Sequence, residues 1–410
     1  MGSILVIGNG AREHAIAWRL KKEGKDVFLS PGNGGTSLNW INKILAKDDI
    51  ESFCKVVGVD MIVIGPEKPL TEGVSDFLRS KGFYVFGPGA EAAKLEGSKV
   101  FAKSFMKRNN LPTADFVFYE DEESLNKYFD HCKYPVVIKA DGLASGKGVV
   151  VVDDKEEANN AVTFLKKNFP EASKYILVEK CLTGKELSVF VLINDKGYVV
   201  LDNARDYKRL NDFDEGPNTG GMGSYSPVDD LPDFQVNKIE NDIVVPTIKA
   251  LQNEKIAYQG VLYFGIMLTK NGPSILEFNC RFGDPETQVL IPRILNLSEL
   301  LYAIAKNEQI PEPKISSKKA LSVVLAARGY PDNPETGKKI DIDKKVFEDE
   351  DTAIFFAGVK RDNSDLLTSS GRVLNVVGMG DTFEKAREKA YSSVKYINFE
   401  GMHFRRDIGL

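Results

Sequence analysis

Histidine and cysteine are scarce in this 410-residue chain, at three and four copies. His14, His131 and His403 are too few and too scattered for a histidine metal cage or a proton relay. Cys54, Cys132, Cys181 and Cys280 show no CxxC pairing, so neither a zinc site nor a disulfide framework has support. Neither sign of charge dominates: 54 Lys plus Arg against 59 Asp plus Glu leaves a formal charge of −5. Such a balance offers no general field for gathering nucleic acid, so an anionic ligand must be held by local groups. No apolar run approaches the roughly 20 residues that span a bilayer, and the opening MGSILVIGNGAREHA lacks the basic leader of a signal peptide. The expectation is a cytoplasmic protein whose chemistry rests on carboxylates, lysines and arginines.

What is present is ordinary globular composition, 42% hydrophobic and 28% charged, and a length that suggests about two or three domains. The first hundred residues alternate apolar runs (SILVIG, DVFLS, DMIVIG, YVFG) with amphipathic stretches, the pattern of parallel strands joined by crossover helices. A doubly wound α/β domain is expected over 1–100, a core of mixed or antiparallel sheets over 101–315, and a small C-terminal α/β domain over 320–410 after the Pro- and Lys-rich NEQIPEPKISSKK. In the middle unit, YPVVIKADGLASGKGVVVV reads as two strands flanking a glycine hairpin. NDFDEGPNTGGMGSYSPV reads as one long loop, and SILEFNC as the second strand of a hairpin that turns at Asn271-Gly272.

Several residues stand out chemically. Gly8-Asn9-Gly10, between a strand and a helix, could present backbone N–H groups to an anion, and Gly32 to Gly35 repeats the theme. A dinucleotide fingerprint would need a third glycine where Glu13 stands, which disfavours NAD. The loop 141–148 is not a P-loop, because its spacing is one residue short and a strand follows it. Lys147 at its tip instead suits folding over phosphate oxygens. Lys139, a charge inside an apolar strand, needs a partner: a nucleotide phosphate or a buried carboxylate. Glu277 and Asn279, two apart in a strand, share a face and are hard ligands suited to Mg²⁺, with Arg281 beside them if the strand continues. Glu179 and Lys180 end a strand where backbone groups could meet an adenine edge, with Glu186 available for ribose hydroxyls.

The strings GNGAREHA, SPGNGGT, GPEKPL, LEGSK, VIKADGLASGKGV, RDYKR, GPNTGGMGSYSP, EFNCRFGDPETQ, GRVLNVV and RRDIG resemble, in order and over essentially the whole chain, the phosphoribosylamine–glycine ligases of the ATP-grasp superfamily. That resemblance implies ligation of glycine to 5-phosphoribosylamine through glycyl phosphate, giving glycinamide ribonucleotide, ADP and phosphate. ATP and Mg²⁺ or Mn²⁺ are the implied cofactors, with no nucleic acid or membrane partner, and a monomer. Carried over by position, Lys99, Lys139 and Lys147 would contact ATP phosphates, Glu179, Lys180, Cys181, Leu182 and Glu186 would hold adenine and ribose, and Arg209 and Asn218 would line the nucleotide site. Glu277 and Asn279 would bind the metal, and Arg281, Asp206 and Lys147 would serve the chemistry. Gly8, Asn9, Gly10, Glu13, Gly32, Asn33, Gly34, Gly35 and Glu67 would face the phosphoribosyl group. Ala11, Ser145 and Tyr207 depart from the family pattern, and Tyr207 for histidine removes a titrating group. A different ATP-grasp enzyme, such as a carboxylase acting on another ribonucleotide, is one alternative and would lack RFGDPETQ and the GPNTGGMG loop; a nucleotide-responsive binding protein without catalysis is the other, and ADP release tells it apart.

Overall fold

The computed structural model describes residues 2–410 apart from Asn39, Ile44, Ala46, Ser145 and Gly146, so two residues of the expected glycine hairpin lie outside the described residues. Five parallel strands form the first sheet, in the order Ile41–Asn42, Asp26–Pro31, Ser3–Gly8, Val59–Ile64, Tyr84–Phe86. The chain starts in the middle and winds outward both ways. A ligand crevice is therefore expected beyond the carboxyl ends of Ser3–Gly8 and Val59–Ile64, where the winding reverses. Ile4, Leu5 and Val6 are fully buried, as a parallel sheet covered on both faces requires.

The second sheet is antiparallel, in the order Phe116–Tyr119, Ile176–Lys180, Val136–Ala140, Val149–Val152. Lys139 pairs with Val149, so the strands on either side of 141–148 form the antiparallel pair that the sequence implies. The third sheet runs Gly197–Val200, Lys185–Asn194, Gly260–Thr269, Gly272–Asn279, again antiparallel. Its turn is Lys270-Asn271, one residue earlier than expected, because Thr269 pairs with Gly272 and its hydroxyl bridges the turn to Asn271 N and Gly272 O.

The fourth sheet joins distant parts of the chain: Arg205–Asp206, Gly223–Ser226, Lys319–Ala326, Arg372–Gly380 and Thr352–Phe356, with helix Phe383–Val394 packed on it. Half of the expected long loop is thus strand. Arg209–Asn211 pairs with Glu215–Asn218, and Gly223–Ser226 finds its ladder partner about a hundred residues away in Lys319–Ala326. Gly223 sits against Ser322 O and Ile408, where a Cβ would stand 2.7–2.8 Å from both, so glycine here serves packing rather than mobility. Two continuous apolar clusters also run from the first sheet into the middle of the chain, one holding Leu5, Phe105 and Phe264, the other Val6, Ile16, Leu297 and Leu301.

Candidate active site

Three lysines meet the carboxylate-bearing end of the second sheet. Lys139 Nζ lies 2.8 Å from Glu179 Oε1 and Lys103 Nζ 2.8 Å from Glu179 Oε2, with all three side chains at most 8% exposed. The partner that Lys139 required is therefore a buried carboxylate. Burial opposes ionisation of Glu179, but Lys139 and Lys103 outweigh it and hold the carboxyl below its usual range. One carboxylate cannot satisfy two ammonium groups: burial, with Lys139 alongside, pulls Lys103 down to about 8. Lys99 opens the helix Lys99–Arg108 and donates from Nζ to Gly142 O at 3.0 Å. Asp141 Oδ1 accepts from Ser98 Oγ and Val100 N, so the base of the glycine hairpin is tied to that helix N-terminus. At the hairpin's far side Lys147 Nζ donates to Pro331 O at 2.6 Å, reaching the C-terminal part of the chain.

Facing this group, Glu277 and Asn279 do share a strand face: Asn279 Nδ2 is 3.4 Å from Glu277 Oε1. Arg281 continues on that side, donating from Nη2 to Asn279 Oδ1 at 2.9 Å and pairing with Glu96 Oε1 at 2.8 Å. Its Nε lies 3.5 Å from Glu67 Oε2, which links the helix Glu67–Thr71, following the strand Val59–Ile64, to the same cluster. Burial works against an ionised Glu277, yet Lys208, Lys139 and Lys99 together hold it below the ordinary carboxylate range. A carboxylate kept ionised beside an amide oxygen fits Mg²⁺ or Mn²⁺, whose remaining positions go to phosphate oxygens and water.

Lys208, which helps keep Glu277 ionised, meets two further carboxylates. Its Nζ lies 3.0 Å from Glu186 Oε2 and 3.3 Å from Asp206 Oδ2. Burial would lower its pKa, but Asp206 and Glu186 push it well above the usual lysine value. Asp206 itself is raised to about 7, burial outweighing Lys208. Arg209 and Asn218 are cross-strand partners on the exposed hairpin that follows, where Arg209 Nη1 donates to Gly216 O. Lys180 is exposed at its strand end, while Cys181 and Leu182 are half-buried beyond it.

The glycine turns of the first sheet are packed rather than open. Gly10 caps helix Ala11–Lys22, and its N–H donates to Glu13 Oε2 at 2.7 Å. The other oxygen of Glu13 accepts from Arg12 Nε at 2.5 Å. A Cβ at Gly8, with φ +134, or at Gly65 would overlap the Glu13 side chain. Glu13 thus fills the volume that the third fingerprint glycine would leave free, and it brings its own negative charge to the helix N-terminus. Asn33 Nδ2 donates to Asn9 O at 2.9 Å and to Phe356 O at 2.8 Å, joining the two turns to the C-terminal sheet. Gly34 and Gly35 abut Lys360 and Phe356. His14 is buried too: its Nδ1 accepts from Phe356 N at 2.9 Å, and burial holds it neutral down to about 3.

Models of phosphoribosylglycinamide synthetase match the chain in succession: the N domain over 2–96, the ATP-grasp (A) domain over 97–287 and the C domain over 320–410. The chain belongs to the phosphoribosylglycinamide synthetase family. It is 41% identical over 419 residues to a phosphoribosylamine–glycine ligase of Chlorobaculum tepidum, covering 99% of each chain. A Ralstonia nicotianae relative of the same name is 42% identical over 416 residues, 99% of this chain and 98% of that one. The crystal structure of the Thermotoga maritima phosphoribosylamine–glycine ligase superposes with a TM-score of 0.87 at 40% identity, covering 99% and 100%. A biotin carboxylase from Campylobacter jejuni shares the fold, at TM-score 0.75 and 16% identity over 100% and 94%. The resemblance read from the motifs is borne out.

Within this phosphoribosylglycinamide synthetase frame, two lysines escaped the sequence reading. Lys103 stands four residues after Lys99 in one helix, a spacing that puts both on one face, and this was a usable signal. Lys208 was quoted inside RDYKR, but a two-residue strand there gives no periodicity from which to read its direction.

Proposed function

We propose that the ATP-dependent ligation of glycine to phosphoribosylamine, named in the chain's relatives, takes place between the Lys99–Lys139–Glu179 group and the Glu277–Asn279–Arg281 face. The observation that carries this reading is the Glu277–Asn279–Arg281 line of hydrogen bonds, with the Glu277 carboxylate kept ionised by Lys208, Lys139 and Lys99, the last of which also donates to Gly142 O in the glycine hairpin. The γ-phosphoryl of ATP passes to a carboxylate oxygen of glycine, forming glycyl phosphate and ADP. The amine of phosphoribosylamine then attacks the carbonyl carbon; the C–N bond forms, the C–O bond to phosphate breaks, and the amine sheds a proton.

No covalent enzyme intermediate is required, so the protein's part is positioning and charge neutralisation. Lys99, Lys139 and Lys147 hold ATP phosphates, and Glu179 to Leu182 with Glu186 border the adenosine, alongside Arg209 and Asn218. Glu277 and Asn279 hold Mg²⁺ or Mn²⁺, which when bound neutralises phosphoryl charge. Arg281 and Asp206 orient glycine and the acyl phosphate. The turns at Gly8–Gly10 and Gly32–Gly35, with Glu13 and Glu67, form the phosphoribosyl side. On the same reading the units divide at about 100 and 315, and the enzyme is a cytoplasmic monomer, the latter testable by sedimentation equilibrium.

Mg²⁺-dependent ADP release, measured with glycine and freshly generated phosphoribosylamine and with each omitted in turn, tests the assignment. Release requiring both substrates is expected. Release with neither substrate, or with another amino acid, overturns the substrate reading. Glu277→Gln should abolish turnover, and unchanged turnover at limiting Mg²⁺ would sink the metal assignment.

A further inference from the structure

Glu96 belongs to the LEGSK string, and no role above uses it. It closes the helix Ala90–Gly97 with its carboxylate buried, 8% exposed as a residue. A charge there needs partners, and both lie just beyond the strand Gly272–Asn279. Oε2 accepts from Cys280 N–H at 2.7 Å, and Oε1 meets Arg281 Nη2 at 2.8 Å. The same Nη2 donates to Asn279 Oδ1 at 2.9 Å, and Asn279 Nδ2 faces Glu277 Oε1 at 3.4 Å. Four side chains thus make one line, Glu96 to Arg281 to Asn279 to Glu277.

An arginine only donates, so a fixed Arg281 forces Asn279 to turn its amide oxygen, rather than its NH₂, toward the guanidinium. That oxygen has two acceptor positions; Arg281 takes one and leaves the other for a cation. The NH₂ then points at Glu277 and restrains its carboxylate. Without the Glu96 charge, Arg281 keeps Glu67 at 3.5 Å as its remaining carboxylate, and nothing then sets the amide's orientation as firmly.

We propose that Glu96 is a positioning residue for the metal site: by holding Arg281 it presents Asn279 Oδ1 and Glu277 together to Mg²⁺ or Mn²⁺. This rests on the reading of Glu277 and Asn279 as metal ligands. Glutamine at 96 would place an NH₂ group against either an amide N–H or the guanidinium, so the line breaks whichever way it turns.

The test is Mn²⁺ binding to the full chain with ADP present and no turnover, followed by electron paramagnetic resonance. Glu96→Gln should weaken Mn²⁺ binding roughly 10- to 100-fold, with metal-free ADP binding unchanged. Glu96→Asp, which keeps the charge, should lie between; it also serves if the glutamine variant does not fold. Mn²⁺ binding within twofold of the parent in a folded variant, with only a lower melting temperature, would reduce Glu96 to a support for the Cys280 amide and overturn the proposal. Glu277→Gln is run beside it. If that variant binds Mn²⁺ normally, the metal reading itself falls and the proposal with it; if it loses Mn²⁺ while the Glu96 variants keep it, the positioning role alone falls.

Discussion

Replacing Glu179 by glutamine leaves Lys103 and Lys139 buried without the carboxylate they share. In the parent, each lysine lies 2.8 Å from a different oxygen of Glu179, behind at most 8% exposure. Removing one partner of such a buried arrangement costs about 3–5 kcal/mol. The chain has one escape, to shed a proton from Lys103. Because Lys103 already sits at about 8 when folded, shedding that proton at pH 7.5 costs only about 1 kcal/mol beyond what the parent already bears, since each unit is about 1.4. With both lysines kept charged the loss corresponds to roughly 6–20 °C in melting temperature for a cooperative unit of 150–250 residues, and deprotonation of Lys103 brings it toward the lower end. The pH dependence gives the sign. Lys103 sits at about 8 when folded, below its unfolded value of 10.5, so in that interval the unfolded chain binds the extra proton and stability rises with pH. In the variant the folded pKa drops further, so recovery between pH 7.5 and 9.5 should exceed the parent's. Thermal melts at the two pH values read this directly. If Lys139 contacts nucleotide phosphates, saturating MgADP should also raise the melting temperature more in the variant than in the parent. A variant within 1 kcal/mol of the parent and indifferent to pH would refute the reasoning.

Other consequences are as specific. His14 is neutral when folded down to about 3 but takes a proton near 6.5 when unfolded, so stability falls as pH drops below 6.5; from pH 7.5 to 5 the loss is about 2 kcal/mol. Urea unfolding of the parent against His14→Gln isolates this slope, and equal slopes would exclude it. Gly65→Ala drives a Cβ into Glu13, which is held by Gly10 N and Arg12, and should cost about 1–3 kcal/mol. Adding Glu13→Ala should recover most of that, and a strictly additive double variant would show that Glu13 is not the obstacle. Lys208→Met removes the cation between Glu186 and Asp206 and should lower turnover on the order of 10²-fold, read as kcat at saturating substrates; a kcat within twofold of the parent would remove Lys208 from the site.

Residues whose meaning is local were legible in the chain itself. The alternation of apolar runs and helices specified the doubly wound sheet, since parallel strands buried on both faces must be continuously apolar. Strand period alone placed Glu277 and Asn279 on one face, and the missing third glycine at Glu13 disfavoured a dinucleotide site. The motif strings pointed to the family. Only the tertiary structure decided matters that depend on contacts across sequence distance. Lys139 had two possible partners, and the fold chose Glu179 because antiparallel pairing sets their strands side by side. Gly223–Ser226 became strand because Lys319–Ala326 lay open to receive it, which no local propensity of glycine and serine foretells. Glu96 acquired a task only when Arg281, 185 positions away, came to rest on its carboxylate. A sequence declares which groups are costly to bury; which partner relieves that cost is settled when distant elements pack.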